Sequence, residues 1–211
     1  MSGSGAIVLV GFMGSGKTTA ALRIGAERGL LAIDVDRVIE ERTGATIAKL
    51  FARDGEDAFR ALEEELACEV LAGASRGQVV SLGGGSVSSE RVRAALVEHV
   101  VVWLDVDPGL AWRRVADSDR PLARDRGAFD VLHAERSALY ASVADAVAPA
   151  SGGLNLGRLH DALELLRLAP VGTRLRCSSV QIEATRSMKP CRSASEARPC
   201  ATTTRRSPPS R

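Results

Sequence analysis

The octapeptide GFMGSGKT, Gly11 to Thr18, sets one lysine among glycines, with hydroxyl side chains at Ser15 and Thr18. Glycines let successive backbone N–H groups turn inward as a nest for phosphate oxygens, and a helix starting at the lysine adds the partial positive charge of its N-terminus. Lys17 can then bridge the β- and γ-phosphates of a nucleoside triphosphate, and Thr18 can ligate Mg2+. Gly11, Gly14, Ser15, Gly16 and Thr19 complete the cradle. The pattern G-x-x-x-x-G-K-[ST] is present in full, which favours phosphate binding over a plain glycine turn. It does not say what the phosphate is for, because GTPases, motors, nucleotide kinases and small-molecule kinases share it.

Three further features bear on the acceptor. In DVD, Asp34 and Asp36 hold two like charges close together, a costly arrangement unless a cation or a substrate hydroxyl shares the site. The alternative is a solvated pair that caps the next helix. The run Gly83-Gly84-Gly85-Ser86 lets a ligand approach the backbone, and it suits a hinge equally well. Arg60, Arg120 and Arg136 form the third set. Taken singly, Arg60 could pair with Glu63 and Glu64 on a helix surface, Arg120 lies in the polar stretch DSDRPLARDRG, and Arg136 could be a helix-surface charge. Converging on one site, their planar forks would define an anionic acceptor.

These residues need a frame that gathers them. Ala6 to Val10, LLAID, VVSL (Val79 to Leu82), VVVWLD (Val100 to Asp105) and a segment within VADAVAPA read as strands. Lys17 to Arg28 reads as a helix. In FRALEEELACEVLA, Phe59, Leu62, Leu66 and Val70 fall at steps of three and four, one face of another helix. Asp107 followed by Pro108 predicts a capped helix start after the fourth strand. Strands alternating with helices imply a parallel sheet covered on both faces, and such sheets bind ligands at the carboxyl ends of their strands. Each polar cluster above follows a strand or lies near such an end.

The chain of 211 residues is 45% hydrophobic and 26% charged, a globular composition. Its net charge of +2 conceals two unlike parts. Residues 1–170 carry 19 basic against 24 acidic side chains, and residues 171–211 carry 9 against 2. The second part has few large aliphatic residues and no aromatics, so the reading divides the chain into a kinase-like domain, 1–170, and a basic tail without structure, 171–211. The tail is either solvated chain, out-of-frame text, or an arm for acidic partners. The sequence shows no apolar run long enough to span a bilayer and no basic region before its first apolar stretch, so a cytoplasmic protein is expected. Three of four cysteines lie in the tail, and no pair has zinc-ligand spacing.

The motifs GFMGSGKT, DVDRVIE, TIAKLFARDGEDAFRALE, SLGGGSV, RPL and ERSALY occur in the order and at about the spacing found in shikimate kinases, and residues 5–168 resemble that family. The resemblance implies a three-layer α/β/α P-loop domain of the nucleoside monophosphate kinase type with a five-stranded parallel sheet. It also implies transfer of the ATP γ-phosphate to the 3-hydroxyl of shikimate, with Mg2+ present. Lys17 then acts on the transferred group, Thr18 and Asp34 hold the metal, and Asp36 meets the shikimate hydroxyls as base or orienter. Arg60 and Arg136 grip the carboxylate, Gly83, Gly84 and Gly85 wall the pocket, and Arg120 is the lid arginine. An arginine near the adenine is either Arg113 or Arg114, and spacing back from Arg120 favours Arg113. A monomer is expected, with no membrane or specific nucleic-acid partner.

Two rival readings remain open. A gluconate kinase of the same fold is the first, set against the pairing of Arg60 and Arg136, which the resemblance assigns to the carboxylate of shikimate. A nucleotide-binding module without catalysis, tethered to RNA by the tail, would have no need of the full set from Lys17 to Arg136.

Overall fold

The computed structural model describes residues 5–116, 125–150, 161, 164, 174–177 and 182–185. Five parallel strands form the centre: β1 (Ile7–Val10), β2 (Leu31–Asp34), β3 (Gln78–Ser81), β4 (Val100–Asp105) and β5 (Ala146–Pro149), in the order β2-β3-β1-β4-β5. β1 is buried along its whole length, as expected for a central strand with helices on both faces. Its alternation splits the core. Ile7 and Leu9 pack with Ala20, Ala21 and Ile24 of α1 (Lys17–Arg28) on one face. Val8 and Val10 face the larger cluster built with α2 (Val35–Thr43), α3 (Ile47–Gly73), α4 (Glu90–Ala95), α5 (Pro108–Val115) and α6 (Arg126–Val143). The three-layer α/β/α arrangement and the five parallel strands match the expectation.

Local chemistry sets the helix starts. Asp107 Oδ1 accepts from Leu110 N at 2.9 Å with Pro108 in the first turn of α5, as the sequence predicted. Asp125 caps α6 in the same way, and Asp34 caps α2. α3 is broken at Gly55, where φ is 82°, a conformation other residues rarely adopt. In its second part Phe59 and Leu66 are buried while Leu62 and Val70 are partly so. The buried face also takes in Glu63, a charged residue only 3% exposed.

Within the segment read as a tail, β6 (Arg174–Cys177) and β7 (Ile182–Thr185) form an antiparallel pair, and β7 adds antiparallel to β5. This differs from the expectation of chain without structure. The physical reason is the free edge of β5, whose backbone groups accept a further strand without any need for a hydrophobic core from the tail. The rest of the tail lies outside the described residues. Among those residues, no helix is long and apolar enough to cross a membrane.

Candidate active site

The candidate positions among the described residues gather at the carboxyl edge of the parallel sheet. The loop after β1, the end of β2 and the glycine run after β3 meet there, because β1 lies between β3 and β4 and its following loop opens on the crevice. Gly16 takes φ 86° at the start of α1 and has no side chain to cap the helix, so the first-turn amides are left for a ligand. A cleft of about 580 Å3 runs over this loop and is lined by Gly14, Ser15, Gly16, Lys17, Thr18 and Thr19 among others. Lys17, almost fully buried, donates from Nζ to Gly11 O at 2.7 Å and Phe12 O at 3.0 Å. These contacts hold the ammonium inside the loop, against the place where phosphate oxygens would sit.

The two aspartates divide their work. Asp34 Oδ1 accepts from Arg37 N at 3.2 Å and caps α2, while its Oδ2 is buried with no hydrogen-bond partner. Capping and metal holding were alternatives in the sequence, and the two oxygens leave room for both. Asp34 and Thr18 line the same cavity, so the orphaned oxygen and the hydroxyl suit a Mg2+ ion, which keeps several waters and takes one or two carboxylates. Ser81, paired with Asp34 in the β2–β3 register, lines the phosphate cleft. Asp36, in the first turn of α2, lines the phosphate cleft and also a second cavity of about 440 Å3. Met13, Thr18 and Gly84 are shared by the two cavities in the same way.

Arg60 and Arg136 line the second cavity together with Asp34, Asp36, Glu40 and Glu63. Arg60 lies against the paired rings of Phe51 and Phe59, whose centroids are 4.4 Å apart, with its guanidinium carbon 5.5 Å from each. Its Nη1 donates to Glu63 Oε2 at 2.6 Å, and Glu56 Oε1 accepts from Nε and Nη2. Burial alone would lower the Arg60 pKa, but Glu63 and Glu56 outweigh it and hold it above the ordinary arginine value. Glu63 is itself fixed by Ser86, whose Oγ donates to Glu63 Oε1 at 2.9 Å. Arg136 differs. It is 6% exposed, its Nε is buried without a hydrogen-bond partner, and its guanidinium lies over the Phe12 ring at 5.8 Å. Burial, with the Arg60 charge adding to it, pushes its pKa below the ordinary value. Two guanidinium groups thus face one cavity, and Glu63 and Glu56, whose charges reach both, form ion pairs with Arg60 alone. Gly85 forms the wall beneath, where a Cβ would overlap the Arg60 guanidinium.

The shikimate kinase family profile matches residues 13–159. The chain belongs to the shikimate kinase family. It is 42% identical over 147 residues to a shikimate kinase of Thermobifida fusca, an alignment covering 68% of this chain and 84% of the relative. It is 44% identical over 141 residues to one of Mycobacterium tuberculosis, covering 65% and 79%. In structure it resembles shikimate kinase from Acinetobacter baumannii in complex with shikimate, with a TM-score of 0.70 and 30% identity over 78% of this chain and 94% of that one. Shikimate kinase from Bacteroides thetaiotaomicron gives a TM-score of 0.65 at 28% identity, covering 75% and 98%.

Of the site residues expected from the family, the structure gathers Lys17, Thr18, Asp34, Asp36, Arg60, Gly84, Gly85 and Arg136 around the two joined cavities. Gly83 lies just behind, where a Cβ would press on Glu63 and on Asp36. Arg120 lies outside the described residues. Arg114 lines the phosphate cleft, donating from Nη1 to Gly14 O at 2.7 Å. Spacing favours Arg113 for the adenine, a role separate from this contact with the phosphate loop. Sequence reasoning missed Glu63 and Tyr140. The first was read as a surface partner of Arg60, although its position between Phe59 and Ala67 on a buried face was the available signal. Tyr140, the last residue of ERSALY, donates from its hydroxyl to Gly84 O at 2.6 Å.

Proposed function

We propose that this protein transfers the γ-phosphoryl group of ATP to the 3-hydroxyl of shikimate, in the chorismate route to aromatic amino acids. The observation that carries the reading is Arg136, a buried guanidinium without an ionic partner among the described residues, which faces a cavity that opens on the phosphate cleft at Asp36. An acceptor carboxylate completes that charge pair, while the acceptor's hydroxyls reach toward Asp36 and the phosphate. A gluconate-type acceptor also has a carboxylate, but the rigid cyclic triol suits a cavity walled by Phe51, Phe59 and the glycine run.

In the reaction, Lys17 and the loop amides hold the triphosphate and offset its charge. Asp36 orients the acceptor hydroxyl and takes up its proton. The hydroxyl oxygen bonds to the γ-phosphorus as the bond from that phosphorus to the β–γ bridging oxygen breaks, and ADP leaves with the electron pair. Positioning and charge neutralisation supply most of the acceleration in such transfers. Mg2+, held by Thr18 and Asp34, would offset phosphate charge. Arg120 belongs to the reading as the lid arginine on family resemblance. A domain of residues 1–170 carries the activity, with 171–211 as an appendage. The reading is completed by a cytoplasmic monomer without specific nucleic-acid or membrane partners.

Phosphorus NMR of the products tests this reading. ATP and shikimate are expected to give ADP and a single phosphate monoester coupled to the proton on carbon 3. A monoester on another hydroxyl, or inorganic phosphate alone, would remove the acceptor assignment.

A further inference from the structure

Tyr140 has no part in phosphate or carboxylate binding, yet it reaches the wall between the two cavities. Its side chain is fully buried on α6, one turn beyond Arg136, with the ring 6.1 Å from that of Trp103. Its hydroxyl donates to Gly84 O at 2.6 Å. Gly84 lines both cavities and Gly85 lines the acceptor cavity. The peptide between these two glycines has no Cβ on either side to hinder its rotation, so nothing intrinsic fixes which way it faces. Peptide planarity then matters: with the Gly84 carbonyl turned toward α6, the Gly85 N–H leaves on the opposite side, away from Tyr140.

We propose that Tyr140 is a positioning residue that locks the Gly84–Gly85 peptide by its hydroxyl and so fixes a backbone donor on the acceptor side of the site. Ser86 and Arg93 support the same loop without touching this peptide. Ser86 Oγ donates to Glu63, and Arg93 Nη1 donates to Val87 O and Ser88 O, each at 2.8 Å. Burial raises the Tyr140 pKa above its ordinary value, so the phenol stays a donor across the working range of pH. The lock also ties the wall to Arg136 through a single turn of α6, so the acceptor's carboxylate and its hydroxyls are read from one rigid element. This inference rests on the proposed acceptor for its kinetic consequence, but the lock itself does not.

The variant Tyr140→Phe keeps the ring and removes the donor. Two measurements on the full-length protein separate the claims. In spectra with 15N-glycine labelling and no ligand, the Gly85 amide is expected to be a single sharp signal in the wild type and to broaden or exchange faster in the variant. In steady-state kinetics, KM for shikimate is expected to rise about fivefold, the factor one neutral hydrogen bond is worth, with KM for ATP and kcat within about twofold. An unchanged Gly85 signal would overturn the lock whatever the substrate. A changed signal with equal rises in both KM values would overturn the assignment of the donor to the acceptor side. Wild-type protein inactive with shikimate would strike at the proposed reaction, while the amide measurement would still decide the lock.

Discussion

Arg60 and Arg136 face the same cavity, but only Arg60 has carboxylate partners. Glu63 and Glu56 neutralise it, whereas Arg136 is buried with an unpartnered Nε and a pKa pushed down by burial. Glu63 and Glu56 balance the two guanidinium charges in number and act on Arg136 through space, but neither forms an ion pair with it. A buried charge without a direct partner is costly, and an anionic ligand beside Arg136 relieves that cost.

That cost predicts a trade between stability and activity. Arg136→Met removes the buried charge and keeps the length of the side chain, so Tm should rise by a few degrees while shikimate-dependent turnover falls at least about a hundredfold. Thermal unfolding and steady-state assays on the same preparation check both halves. A lower Tm in the variant would show that the charge is already compensated.

Arg60 should respond differently. Arg60→Lys loses the bidentate fork and the guanidinium contact with Phe51 and Phe59, so KM for shikimate should rise roughly tenfold with little change in KM for ATP. Equal shikimate KM values in the wild type and the variant would remove Arg60 from the acceptor site.

Asp36 stands where the two cavities meet. Asp36→Asn keeps the shape but cannot take a proton, so kcat should fall about a hundredfold or more while both KM values stay within a few fold. A variant with wild-type kcat would leave Asp36 as a spacer between the cavities.

Asp34 divides capping from metal holding between its oxygens, and the division can be tested. Asp34→Asn retains a good helix cap, so Tm should change little. The Mg2+ concentration for half-maximal rate should rise about tenfold, in keeping with loss of one charged ligand. An unchanged Mg2+ dependence would mean that Oδ2 serves another partner.

The two tail strands extend the sheet at β5, where β7 pairs with Ala146 and Val147. Deleting residues 171–211 should lower Tm by a few degrees and leave kcat and both KM values within about twofold. A loss of half or more of kcat would make the tail part of the working enzyme.

The parallel sheet was legible because each strand is a short apolar run followed by a polar cluster, and β4 matches its expected bounds from Val100 to Asp105. The Asp107–Pro108 start of α5 was legible because capping is local chemistry. Glu63 was not, because a carboxylate beside an arginine three residues earlier on a helix looks solvated until the packing of Phe59 and Ala67 shows which face is buried. The contact of Arg114 with the phosphate loop depends on the rotation of α5 about its axis, which spacing along the chain does not carry. The strand pair of the tail escaped notice for a related reason. Its stability comes from the β5 edge, through backbone hydrogen bonds that any side-chain pattern can make.

An ATP cleft and a carboxylate-reading cavity that join at Asp36 make a shikimate-dependent kinase. Coupled ADP release with Mg2+ and ATP, run with shikimate, with gluconate and with no acceptor, decides this. Turnover should require shikimate and disappear in Lys17→Ala. Turnover with gluconate alone, or silence with both acceptors, would overturn the assignment.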